Sequence, residues 1–182
     1  MDTVEKVLEE WRRERPDLDP SPIGVFGRVR RVAEMSRHEL EAYLAPHGLT
    51  PKSFDVLANL RRGGHPYRKT PSELAESSLL SSGAMTGRLD SLEAQGWIRR
   101  TPHPTDRRVM YAELTPEGVA LIDEVMALHL ANEDSLLDDL SKEQREQIAA
   151  ALATMEAALH SALARRAAKT APPRRTRRGR PL

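Results

Sequence analysis

The stretch from residue 70 to residue 114 leaves this chain few folds to choose from. Thr70-Pro71-Ser72-Glu73 has the spacing of a capping box: a hydroxyl at the helix entrance and a carboxylate three residues on, each able to take a free backbone N–H. It opens a short helix carrying Leu74 and Ala75. A tight break at residues 79–81 precedes a second helix over residues 82–95, stopped by Gly96. Met85, Leu89 and Leu92 form one apolar stripe on that helix and turn Ser82, Gly83, Thr86, Gly87 and Asp90 outward. Trp97-Ile98-Arg99-Arg100 then reads as a short strand, residues 101–108 (TPHPTDRR) as a turn-rich tip, and residues 109–114 as a returning strand. Two short helices followed at once by a hairpin predict a winged helix-turn-helix, whose second helix presents small side chains that let its backbone approach base edges and phosphates.

The flanks are helical. Val4, Val7, Leu8 and Trp11 recur at helical spacing over residues 3–15, Pro16 stops that helix, and Pro20 and Pro22 mark a short stiff linker. A longer pattern runs from Val25 and Phe26 to Tyr43 and Leu44 and closes at Pro46 and Gly48. Thr50-Pro51 caps a third helix with Phe54, Leu57 and Leu60, which frays into Gly63-Gly64. Beyond the hairpin, Thr115-Pro116-Glu117 opens a helix with Ile122, Val125, Met126 and His129. Ser141 and Gln144 form a further capping box ahead of Ile148, Leu152, Met155, Leu159 and Leu163. This is more amphipathic helix than one small module can cover, and the economical partner is a second copy. The expected fold is mainly α with a small β-hairpin wing: a winged helix-turn-helix in an all-helical dimerisation scaffold. The expected divisions are an N-terminal helix and linker (1–22), a winged helix-turn-helix and dimerisation domain (23–164, DNA-binding lobe about 50–114), and a disordered basic tail (165–182).

Charge is unevenly distributed, an acidic body with a basic tail. The net charge of +1 hides eight basic residues and no acid from Arg165 onward, which leaves 20 basic against 27 acidic side chains in the rest. That tail is either a solubilising terminus or an arm for phosphates of any sequence. There is no cysteine, which excludes disulfides and thiolate chemistry. No apolar run approaches the roughly 20 residues that span a bilayer, and the acidic start Met1-Asp2 is not that of a signal peptide. A cytoplasmic protein with no membrane partner is expected. The DNA contacts are assigned to Ser81, Ser82, Gly83 and Thr86 on the second helix and to Arg107 and Arg108 on the wing, where an arginine fits a narrow minor groove. The plainer reading of the tip is a solvated hairpin with a local Asp106–arginine pair.

The order of helices, the segment LLSSGAMTGRLDSLEAQGWIRR and the wing TPHPTDRRVMYAELTPEG closely resemble the MarR family of transcription regulators, over residues 23–163. The resemblance implies an obligate dimer with two recognition helices in successive major grooves and two wings in flanking minor grooves. It also implies repression of a divergent neighbour gene, relieved in many members by a small anionic or phenolic ligand. An additional N-terminal helix with a tryptophan resembles the urate-responsive branch, and that resemblance assigns a ligand site to Trp11, Asp55, Arg88 and Arg100.

The chemistry suits such a ligand. Urate is a flat monoanion; Arg100 offers a planar fork of donors, Trp11 a ring face and an indole N–H, and Asp55 a carboxylate that an anion repels toward Arg88. Each also has a plain structural reading. Trp11 can be packing, Arg88 and Arg100 can be phosphate contacts or salt bridges, and Asp55 can pair with Arg61, Arg62 or Lys52. Tricarboxylates such as citrate, or phenolic compounds, are alternative effectors, and a ligand-independent architectural DNA-binding protein is the alternative function. His129 and Glu133 are spaced to share a metal but lack a third ligand, so no metal or cofactor is expected. No nucleophile or acid–base arrangement surrounds the scattered histidines, and Gly63-Gly64 lacks the lysine of a phosphate loop. The chain is not expected to be an enzyme, and no catalytic residue is assigned.

Overall fold

The computed structural model describes residues 2–78, 85–103, 105–106 and 108–170. It divides into two compact units, Met1–Leu130 and Ala131–Leu182. Helices α1 (Thr3–Glu14), α2 (Ser21–Leu44) and α3 (Pro51–Arg62) lead into strand β1 (Arg68–Lys69), helices α4 (Pro71–Ser77) and α5 (Met85–Ala94), and strands β2 (Ile98–Pro102) and β3 (Met110–Leu114). Helices α6 (Pro116–Ser135) and α7 (Lys142–Thr170) follow. The architecture is the expected one, mainly helical with a small wing. One difference is a third strand: the sheet order is β1-β3-β2, all antiparallel, with Lys69 opposite Ala112 and Arg100 opposite Ala112 from the other side.

Helix α1 lies on α2 of its own chain. Val4 and Leu8 are buried, and Gly27 of α2 lets the helices close up: a Cβ there would stand 3.3 Å from Val4, whereas one on Gly24 would make an ordinary contact 3.5 Å from Leu8. Asp2 caps α1 by accepting the Glu5 N–H at 2.8 Å, and Arg28 of α2 donates to Asp2 at 2.8 Å. Those two donors hold the Asp2 carboxyl below the usual range. The linker is shorter than expected. Pro22 sits in the first turn of α2, where a proline costs no hydrogen bond, and Asp19 anchors that turn through the Ser21 N–H and hydroxyl.

The core belongs to α3. Thr50 and Ser53 cap it reciprocally, and every residue from Phe54 to Leu60 is buried. A helix covered on all sides is the centre of its unit, which is why Asp55 and Asn59 are inside with Val56, Leu57 and Leu60. Around it close Leu44, Leu74, Leu89, Leu92, Ile98, Ala112, Leu114 and Ile122. The start of α6 is docked by its cap: Thr115 Oγ1 accepts the Gly118 N–H at 3.0 Å and donates to the Gly96 carbonyl at 2.8 Å. Gly118 passes so near the Trp97 backbone that a Cβ would sit 2.0 Å from its carbonyl oxygen.

In the second unit the Ser141–Gln144 box opens α7 as expected, with bonds of 2.8 and 3.2 Å. The helix runs through Arg165, Arg166 and Lys169 to Thr170, so the helix passes the point where an unstructured tail is predicted; Ala167 and Ala168 are strong helix formers. None of its 29 residues is buried. Among the described residues no helix is long and apolar enough to cross a membrane.

Candidate nucleic-acid interface

Helix α4 starts where the sequence places it. The Thr70 hydroxyl accepts the Glu73 N–H at 3.2 Å, and the Glu73 carboxylate accepts the Thr70 N–H at 2.7 Å and its hydroxyl at 2.9 Å. These donors hold the Glu73 carboxyl below the ordinary glutamate value. Helix α5 buries Met85, Leu89 and Leu92 and leaves Thr86, Gly87 and Asp90 exposed, so its outer face carries no bulky side chain at positions 86 and 87. Of the residues assigned to DNA, Ser81, Ser82, Gly83 and Arg107 lie outside the described residues.

The wing is a tight hairpin. At its tip the His103 N–H donates to the Val109 carbonyl at 3.0 Å, and the Val109 N–H donates to the Asp106 carbonyl at 3.0 Å. Asp106 spends its carboxylate on the Arg108 backbone N–H at 3.0 Å, and Arg108 is exposed. The His103 ring stacks on Tyr111 at 4.9 Å, and the Arg68 guanidinium lies 4.7 Å from the same ring. An open groove of about 480 Å³ separates the wing from α4, with Thr70, Pro71 and Ser72 on one wall and His103, Asp106 and Arg108 on the other.

The four residues assigned to a ligand are distributed over four elements. Trp11, on α1, is 46% exposed, and Asp55, on α3, is 6% exposed. Arg88 is half-buried on α5, a helix that packs against α3. Arg100, on β2, is engaged: its guanidinium donates to Asp90 at 2.5 Å and lies 3.6 Å from Glu93, and its N–H donates to Glu93 at 3.2 Å. Arg100 therefore ties the wing strand to α5. The sequence showed Asp90 only as an outward residue and gave no sign of Glu93's part. The local pairing considered for Asp55 is not what Arg61 does. That residue reaches Asp123 of α6 with bonds of 2.6 and 3.0 Å.

His129 is a core residue, edge-on to Phe54 at 4.9 Å and 8% exposed. Among the described residues no three metal-ligating side chains cluster.

The profile of the MarR family matches residues 47–109, from the turn after α2 through the wing tip. The transcriptional regulator PecS of Dickeya dadantii is 39% identical over 153 residues, spanning 84% of this chain and 92% of that one. The fold is similar to that of AbsC, a MarR family regulator from Streptomyces coelicolor, with a TM-score of 0.69 and 26% identity over 79% of this chain and 97% of that one. It is similar too to a mutant MarR from E. coli complexed with operator DNA, with a TM-score of 0.64 and 25% identity over 80% and 96% of the two chains. With 39% identity to a regulator it spans almost end to end, this chain belongs to the MarR family and is a winged helix-turn-helix DNA-binding transcriptional regulator, not an enzyme.

Proposed function

We propose that the chain is a ligand-controlled repressor that binds a palindromic operator as a homodimer. Helix α5 enters the major groove through Thr86 and the residues before it (Ser81, Ser82 and Gly83), and the wing places Arg107 and Arg108 in the minor groove. The observation that carries this is the open outer face of α5 beside a wing whose Arg108 is exposed, in one closely packed lobe. The operator-bound MarR with a similar fold supports it. A second copy is called for by apolar side chains left outside: Val25, Phe26, Val32 and Met35 on α2, and Ile148, Leu152, Leu159 and Leu163 on α7.

The effector is a small anion such as urate, bound through Trp11, Asp55, Arg88 and Arg100. Arg100 is where ligand and DNA meet. Its guanidinium holds Asp90 and Glu93 of α5, and an anion that takes the guanidinium competes with both carboxylates. Coupling of about 1–3 kcal/mol, a 5- to 150-fold loss of DNA affinity, suffices. The test is gel-shift titration of the DNA upstream of the gene with urate, citrate and a phenolic acid at fixed salt. Urate is expected to release the protein, and Arg100→Ala to blunt that release. If none of the three changes binding or melting temperature, the effector assignment is wrong. A footprint confined to one palindrome excludes the architectural alternative.

A further inference from the structure

Lys69 lies one residue before the capped start of α4, in the sequence YRKTPSE, where a lysine on a DNA-binding face ordinarily meets a phosphate. Its ammonium points inward instead. Nζ donates to the Asn59 side-chain carbonyl at 2.7 Å and lies 3.4 Å from the Ser77 hydroxyl. Asn59 is wholly buried on α3, and Ser77 is the last residue of α4. The Ser77 hydroxyl has one proton and two acceptors in reach, the Glu73 carbonyl at 2.5 Å and the Asn59 carbonyl at 3.0 Å, and its oxygen is in turn open to the ammonium. Arg62 adds a second tie from the end of α3 to the Ser77 carbonyl.

Gly63 gives independent support. Its backbone is in the ordinary right-handed helical region, with φ −68°, so conformation does not demand a glycine. Space favours one: a Cβ there would stand 3.0 Å from Cε of Lys69, so the lysine stem would have to give by a few tenths of an ångström. The glycine makes room for the lysine stem. Lys69 is also the residue of β1 that pairs with Ala112 of β3. One residue therefore joins the wing sheet through its backbone and the central helix and the end of α4 through its side chain, and from α4 the chain runs on to α5.

We infer that Lys69 is a positioning residue for DNA recognition: bonded to Asn59 and Ser77 and accommodated by Gly63, it sets the end of α4, and so α5, against the wing. It is not a phosphate contact. The inference rests on α5 as the groove-reading helix.

The test uses the full chain, a duplex that the wild-type protein selects from a randomised pool, and an unrelated duplex of equal length, over a salt series. Wild-type protein that cannot tell the two duplexes apart removes the groove-reading role itself. Given that discrimination, Lys69→Met, which keeps the stem and loses the charge, lowers affinity for the selected duplex about tenfold. It leaves the unrelated duplex within about twofold and the salt slope unchanged. Loss on both duplexes with a slope shallower by about one identifies a phosphate contact and overturns the inference. Unchanged binding, or equal loss at constant slope, overturns it as well. Gly63→Ala and Ser77→Ala keep every charge and are expected to show the same selective loss. They decide the matter if Lys69→Met does not fold, and normal discrimination by both then counts against Lys69.

Discussion

In the lobe from α3 to β3, Leu57, Leu60, Leu74 and Leu92 are fully buried by their own chain, whereas on α7 Leu152 is 50% exposed and Leu163 58%. The helices differ in length in the opposite sense. Helix α4 has seven residues and α5 ten, too few to persist alone in water, while α7 has 29. The short elements exist because a common core holds them. The long one has little side-chain cover within its own chain. In the proposed homodimer, a reading head complete in one subunit would keep its groove-reading residues in fixed geometry, and the apolar face left on the long helix would assign the spacing between two heads to the second copy.

The sharpest way to break the lobe's self-sufficiency is Gly118→Ala. The added methyl meets the Trp97 carbonyl, which is backbone and has no rotamer to yield. A loss of more than about 3 kcal/mol is expected, at the upper end for overpacking, read as a drop in the urea midpoint below wild type that is the same at every protein concentration. A midpoint within about 1 kcal/mol of wild type would mean that the turn at Gly96 and α6 are less tightly docked than the structure has them. The matching change on α7 has the other signature. Leu152→Glu should leave the circular dichroism spectrum intact but raise the dimer dissociation constant about a hundredfold, on the order of 3 kcal/mol. Sedimentation at several concentrations checks it, and unchanged association would remove α7 from the interface.

The same contrast explains what was legible in the chain. Capping boxes at Thr70 and Ser141, the Met85-Leu89-Leu92 stripe and the hairpin are local signals, each set by residues within four positions or across one turn, and the structure has them all. Strand β1 was not legible, because Arg68 and Lys69 are two polar residues without alternation and are strand only through β3. The burial of Asp55 and Asn59 escaped for a related reason: a polar residue on an amphipathic pattern reads as outward, and only the enclosure of α3 on every side reverses that. Pairings across long sequence separation, such as Arg61 with Asp123 and α1 with Gly24 and Gly27 of α2, carry no periodic mark at all. For Arg100 a salt bridge was one of the readings the sequence allowed, but the partners were not legible. Its partners, Asp90 and Glu93, sit on a helix whose face toward the wing was not defined.

Smaller effects test how firmly the lobe's entrance is fixed. Thr70→Ala removes the hydroxyl that caps α4 and should cost about 1 kcal/mol, read by urea denaturation at neutral pH. The same cap carries a pH signature. The Thr70 N–H and hydroxyl favour the charged form of Glu73, so its carboxyl titrates lower in the folded chain than the ordinary value of about 4.3. Between those two values the unfolded chain binds the proton and the folded one does not. The stabilisation from this pair is therefore complete above the unfolded value and is lost as pH falls through the folded one. Because Glu73 is exposed, solvent screening keeps the effect to a few tenths of a kcal/mol. Glu73→Gln should lower stability slightly at pH 7, by an amount that shrinks as pH falls through the folded value. A deficit that does not shrink as pH falls would show that the carboxylate's charge has no part in the cap.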